Sequence, residues 1–283
     1  MMNEWSRFLA ELDWQKLTST ALFAGLVAIL ATVAIERFGG KLGGVLATLP
    51  TTIIPASLGF WYLSESNEDF IVAMWSVPIG MLLDAAFLHS WRWIPPIMTM
   101  NNPMLRLAGV VLGTLSFWFV LAFVVVTALQ DFLGYIYWFG GGALLFQVGY
   151  GVYASPGGGS KASEAKRVPW LTLLLRGVMA GTAIAIATWI IAVGHPVFAG
   201  VASVFPAIFL TIMVSVWVSQ GPQAQAHAVG PMMLGSTSVS VYALVATWTF
   251  PIFGPLLGTV IAWCIAVGGV SVPSAVFLRR STA

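Results

Sequence analysis

Polar and charged residues fall in short clusters along this chain, and the intervals between them are apolar stretches 19 to 26 residues long. A helix rising 1.5 Å per residue needs about 20 such residues to cross a hydrocarbon core about 30 Å thick. The pattern therefore predicts about nine spans: Leu17–Ile35, Leu42–Leu63, Phe70–His89, Leu105–Leu129, Phe132–Tyr153, Leu171–Val193, Phe198–Ser219, Ala226–Trp248 and Phe253–Leu278. The expected fold class is all-α, a polytopic transmembrane helix bundle. Ahead of the first span, Trp5, Phe8, Leu9 and Leu12 recur at i, i+3, i+4 and i+7. That spacing predicts a short amphipathic helix on the membrane surface within residues 1–16.

Composition narrows the function classes. Of 283 residues, 59% are apolar and 8% charged, with 13 Trp, 18 Phe and a mean hydropathy of +0.91. Soluble domains carry about 25% charged residues, so this chain lacks the polar surface to cover a water-soluble enzyme. Its single cysteine, Cys264, excludes a disulfide framework or a cysteine metal site. No H-E-x-x-H, C-x-x-C or G-x-S-x-G run occurs, and Gly157–Lys161 lacks the order of a phosphate loop. The expectation is a protein that is not an enzyme, with no catalytic residue, metal or cofactor. A formal charge of +2 is too small to imply nucleic acid. The expected partners are membrane lipid and an unknown small solute, with a homodimer left open.

Charge placement orients the chain. With nine spans, one face holds Arg37, Lys41, Arg92, Arg106, Lys161, Lys166, Arg167, Arg279 and Arg280, with Arg176 just inside it. The other holds Arg7 and Lys16 beside the acids Glu65, Glu68, Asp69 and Asp131. Positive charge marks the cytoplasmic side, so the amino terminus is expected outside and the carboxyl terminus inside a bacterial inner membrane.

The sequence also repeats itself. Gly44-Val-Leu-Ala-Thr-Leu-Pro50 is echoed by Gly200-Val-Ala-Ser-Val-Phe-Pro206, Trp61 by Trp217, Gly80 by Gly235, and Leu112-Gly-Thr114 with Trp118 by Leu257-Gly-Thr259 with Trp263. Residues 17–129 and 170–283 then form two four-span units. Residues 130–169 hold a linking span and the run SPGGGSKASEAKRVP. One span between the units makes this an inverted 4+1+4 repeat, the arrangement in which many secondary transporters bind substrate near the midplane. Three segments of the second unit, Phe198–Ala207, Met232–Tyr242 and Pro255–Trp263, resemble the GlpM family of small bacterial inner-membrane proteins. The resemblance implies two such units fused through an extra helix. It also implies an association with production of the exopolysaccharide alginate rather than a particular reaction.

Candidate chemistry centres on the two proline motifs. Pro50 and Pro206 each lie roughly 12–14 Å into their spans, near mid-membrane. A proline there removes a backbone donor and frees a carbonyl that must face protein, water or a ligand. Gly44, Thr48, Pro50, Thr51, Thr52, Gly200, Ser203 and Pro206 are the candidate substrate-binding residues, and residues 44–52 are expected to meet residues 200–208. The alternative is that these small residues serve close packing alone. Asp84 is the only carboxylate well inside an apolar segment and the candidate proton-coupling group; the alternative is a structural pair with Arg92. Gln147 and Arg176 are secondary candidates, more readily explained as interhelical glue and as a snorkelling side chain. His195 and His227 lie near span ends and read as interfacial. The expected function is a secondary transporter or exporter of a small neutral, zwitterionic or cationic solute. The alternative is a non-transporting accessory protein for envelope polysaccharide production.

Overall fold

A computed structural model describes residues 13–46, 49–155, 170–220 and 222–280. The amphipathic turn expected over Trp5–Leu12 and the candidate Thr48 lie outside them. The described residues are helical, with no strand among them. In chain order the helices are α1 (Trp14–Leu46), α2 (Ile53–Leu63), α3 (Asn67–Ile97), α4 (Pro103–Gln130), α5 (Ile136–Tyr153), α6 (Trp170–Ala192), α7 (Pro196–Ala202), α8 (Ala207–Gln220) and α9 (Pro222–Ala266). A π-helical turn over Val267–Ser271 then leads into α10 (Val272–Arg280).

Local chemistry accounts for several ends. Asp13 caps α1, its Oδ1 accepting the Lys16 N–H at 3.0 Å. Ser66 caps α3 by accepting the Asp69 N–H at 3.1 Å while its hydroxyl donates to the Asp69 carboxylate at 2.7 Å, so the acidic cluster at this turn serves partly as a cap. Asn102 accepts from Met104 and Leu105, with Pro103 opening α4. At Gly254, φ is +75°, a backbone region that glycine enters at no steric cost. The chain doubles back there, because Thr249 Oγ1 donates to the Gly258 carbonyl at 3.0 Å and the Tyr242 hydroxyl reaches Thr259.

Among the described residues, six helical stretches are long and apolar enough to cross a membrane, the last running from Val229 to Leu278 and folding back at Gly254. The protein is thus a multi-pass helical membrane protein. The loop expected between the first two spans is absent: α1 continues through Glu36–Lys41. That segment contains no proline, and Gly39-Gly40 cost only about 1 kcal/mol each in a helix. Chain breaks fall instead inside the second and seventh expected spans, between α1 and α2 and between α7 and α8.

Two apolar cores meet on α3. One gathers Phe87, Trp91, Trp118 and Trp217; the other gathers Phe60, Phe70, Met74, Tyr242 and Phe250. Phe70 stacks on Phe250 with ring centroids 5.3 Å apart, and Trp61 meets both rings edge-on. Elsewhere α1 and α6 touch backbone to backbone. A Cβ on Gly25 would lie 2.9 Å from the Gly177 carbonyl oxygen, and a Cβ on Gly181 would lie 2.9 Å from that of Ala21. Small residues permit this approach, which drives helix association in lipid through dispersion rather than hydrophobicity. Gly25→Val and Gly181→Val should each destabilise the protein by about 1–3 kcal/mol through overpacking. Gly142→Val on α5, where a Cβ meets nothing within 4 Å, should not. Thermal unfolding in detergent reads the difference.

Candidate functional site

Each chain break is built around one proline. The Thr51 N–H donates to the Leu49 carbonyl at 2.8 Å, and the Ala207 N–H donates to the Phe205 carbonyl at 2.7 Å. Pro50 and Pro206 are therefore the central residues of matching three-residue turns. Proline suits that position, since its ring holds φ near −65° and it has no N–H to leave unsatisfied. A helix starts directly after each turn, at Ile53 and at Ala207. The sequence motif thus makes complete breaks in the helices.

The breaks face one cavity of about 250 Å³. Leu49, Thr51 and Thr52 line it from one break, and the stretch Ser203–Ile208 lines it from the other. The two motifs consequently share a single space. α3 contributes Met81 and Asp84, α6 contributes Arg176, Ala180 and Ala183, and α9 contributes Gly235, Ser236 and Val239. The volume is at the small end of ligand sites, and the walls are mainly apolar with a few placed polar groups, as such sites usually are.

Among the described residues, two charged side chains stand in these walls. Asp84 is 1% exposed, and its Oδ1 accepts the Trp118 indole N–H at 2.8 Å. Trp118 is itself wedged edge-on against Phe205, centroids 5.4 Å apart. The expected alternative partner, Arg92, donates instead to the Ala154 carbonyl at 2.9 Å. Arg176 is 6% exposed, and its Nε donates to Thr211 Oγ1 at 2.8 Å. It does not snorkel to the interface; it is part of the cavity.

The other candidates divide. Thr51, Thr52, Ser203 and Pro206 line the cavity, with the Ser203 hydroxyl already donating to the Gly200 carbonyl at 2.7 Å. Pro50 shapes its break without lining the cavity. Gly200 is a packing residue, its α-carbon pressed so closely on the Ala73 carbonyl and Ser76 that no side chain fits. Gly44 falls in the last turns of α1, and its surroundings lie outside the described residues. Gln147 holds helices together: its Nε2 donates to Ser236 at 3.0 Å, and its Oε1 accepts from Ser240 at 3.2 Å. His195 is exposed at the start of α7. The residue that sequence reasoning missed is Trp118, which lies 34 positions from the carboxylate it serves. Its place in the repeated Leu-Gly-Thr…Trp block was the available signal.

Comparison with known proteins finds no matching family model, no matching curated protein and no matching solved structure.

The Trp118–Asp84 bond is separable from simple packing. Trp118→Phe removes the donor and should cost about 1–3 kcal/mol, the usual penalty for stranding a buried polar group. In an Asp84→Leu background the same change should cost markedly less. A double-mutant cycle of thermal stabilities measures this, and equal costs in both backgrounds would show the bond to be idle.

Proposed function

We propose that this protein is a secondary transporter of a small solute, working by alternating access around the cavity between the two proline breaks. One observation carries the reading. Two breaks 156 residues apart carry the same turn hydrogen bond and face the same buried space, beside a carboxylate and a guanidinium. Broken helices at mid-membrane leave backbone groups that only protein, water or a ligand can satisfy, and transporters use such places to bind solute.

Internal symmetry supports the inverted 4+1+4 repeat of nine spans. The reciprocal contacts Gly25–Gly177 and Gly181–Ala21 make α1 and α6 cross at residues 23 and 179, also 156 apart. A pseudo-twofold axis in the membrane plane would relate the two helices. Lining residues run from the breaks towards the end of the bundle marked by Ala31, Arg176 and Pro231. The opposite end is packed shut by Trp61, Phe70 and Phe250. With the amino terminus outside, the cavity leans towards the cytoplasm and the aromatic cluster is the closed outer gate. Asp84, the carboxylate in the cavity, is the proton-coupling group. The GlpM-like segments fit a duplicated scaffold of this kind.

Reconstituted protein should release a loaded solute mixture or move protons in response to solute, and Asp84→Asn should abolish proton movement. A lack of both activities across a broad solute screen would favour the accessory-subunit reading.

Orientation is tested separately. In a chain with Cys264→Ser, Glu65→Cys should react with an impermeant thiol reagent from outside the cell. Asn101→Cys, at the other end of α3, should react only after the membrane is opened. The reverse pattern would overturn the assigned direction.

A further inference from the structure

We infer, on the footing of the transporter reading above, that the solute is a small aliphatic monocarboxylate bound together with one proton. Its oxygens accept from the unused backbone donors at the starts of α2 and α8, and the proton sits on Asp84.

Each break ends in the first turn of a helix, and both first turns open on the cavity. Thr51 and Thr52 line it just ahead of α2, and Ala207, Ile208 and Phe209 line it at the start of α8. The first N–H groups of a helix have no intrahelical acceptor. At α1, α3 and α4 the side chains of Asp13, Ser66 and Asn102 supply one. At α8 the Ala207 N–H goes to the Phe205 carbonyl and the Leu210 N–H to that of Pro206, while those of Ile208 and Phe209 have no acceptor among the described residues. At α2 the Thr51 N–H goes to the Leu49 carbonyl, and those of Thr52, Ile53 and Ile54 have no acceptor among the described residues. Thr52 makes no capping bond, and neither the Thr51 nor the Thr52 hydroxyl has a partner among them. Orphaned buried N–H groups are rarer than under-used carbonyls, so inside a bilayer these donors call for an acceptor that enters the cavity. Partial positive charge at both helix starts favours an anionic one. The donors are backbone and hydroxyl groups, so this preference holds whatever the Arg176 guanidinium engages. It also departs from the neutral, zwitterionic or cationic solute expected from composition, which registers side-chain charge and not the main chain.

Asp84 stands in the same wall, 1% exposed. Gly200 packs on Ala73 and Ser76, and Gly80 packs on Val201, so Asp84, one turn beyond Gly80, comes level with the start of α8. Trp118 bridges the two, donating to Asp84 Oδ1 and meeting Phe205 edge-on. Oδ2 has no hydrogen-bonding partner among the described residues. Ionised, Asp84 would repel an anion in this small space. Carrying a proton on Oδ2, it becomes one more donor to that anion. Anion and proton therefore enter as a pair, which leaves the charge of the site unchanged and avoids carrying a bare carboxylate through lipid. Coupling takes the form of symport, one proton with one monoanion.

The remaining walls set the body of the solute. Ala24, Ala31, Ala180 and Ala183 line one side and Met81 and Val239 the other, around a volume of about 250 Å³, which suits a short aliphatic chain. Among the described lining residues Asp84 is the one carboxyl, so a second negative charge would find no second acid to offset it. Few other charged or titratable groups surround Asp84. Arg176 of α6 shares the wall and donates to Thr211. On α3 itself His89 is hydrogen-bonded to Tyr150 of α5, and Arg92 donates to the Ala154 carbonyl. Arg106 of α4 donates to the Pro95 carbonyl, and Tyr242 of α9 is engaged with Ser57 and Thr259. The described residues of α7 and α8 carry none, and α2 carries Tyr62, exposed at its far end.

The test uses the full chain in lipid nanodiscs and three probes of one carbon skeleton: 4-methylpentanoate, 4-methylpentanamide and 4-methylpentylamine. Tryptophan fluorescence titration and thermal shift give the affinities. The carboxylate should bind at least about tenfold more tightly than the amide or the amine, since charge-assisted hydrogen bonds are worth about that factor or more. Its affinity should fall about tenfold per pH unit along one limb between about pH 5.5 and 9.5, the linkage of one proton to one anion. A pH indicator in weak buffer should register one proton taken up per anion on that limb. In Asp84→Asn the amide donates as the acid does, so binding should persist while the pH dependence flattens. Thr52→Val should weaken the carboxylate about tenfold and leave the stability of the empty protein unchanged. Should Asp84→Asn fail to fold, probe ranking and proton uptake on the natural chain decide. An amide or amine that binds as tightly as the carboxylate overturns the inference, as does a flat pH profile on the natural chain. So do a falling limb that survives Asp84→Asn, full affinity in Thr52→Val, and silence towards acetate, butyrate and 4-methylpentanoate together. Carboxylate binding without flux in proteoliposomes would retire the transporter reading and leave the site. Flux of another solute without carboxylate binding would retire the site assignment and leave the transporter.

Discussion

Inside a bilayer no water is at hand to satisfy a stray backbone N–H or carbonyl, so an unbroken helix is the default and every interruption must be covered by protein. This chain interrupts two helices deep in the bundle, at Pro50 and at Pro206, and the remaining structure is arranged around covering them. Each break closes its own three-residue turn. Each is then walled by α3, α6 and α9, which leave a small cavity between the two breaks. Broken backbone and cavity are thus two aspects of one constraint.

The same constraint governs the charges. A carboxylate or guanidinium deep in lipid is costly, and both are retained here with hydrogen-bonding partners supplied from neighbouring helices. Trp118 serves the carboxylate of Asp84 and Thr211 serves the guanidinium of Arg176. Val239, the counterpart of Asp84 in the proposed repeat, is apolar and lines the same cavity. In the repeat reading, the scaffold is shared between halves while the charged chemistry is unequal.

α3 is where these demands converge. It is the most buried of the long helices and belongs to both apolar cores. It presents Asp84 to the cavity, Phe70 to the aromatic cluster and the Ala73 carbonyl to Gly200. Close backbone contacts of this kind let small residues bring α3 and α7 together beside the cavity.

Much of this protein was legible in its residues alone. Charge scarcity and long apolar runs determined the solvent, because no arrangement of so few polar groups covers a globule in water. The two proline motifs marked the breaks, because proline acts locally on its own chain, and the isolated carboxylate of Asp84 was conspicuous for its cost. Other features depended on packing between distant segments. The partner of Asp84 is an indole 34 residues away rather than the nearby Arg92. Arg176 turns into the cavity although its position near a helix start suits snorkelling, and Gln147 is spent on Ser236 and Ser240 of α9. The helix through Glu36–Lys41 persists where polar residues suggested a turn. Local composition determines which segments enter lipid and where a backbone must break. Which side chains meet across the bundle is decided by helix rotation and close approach, and only the tertiary structure contains those.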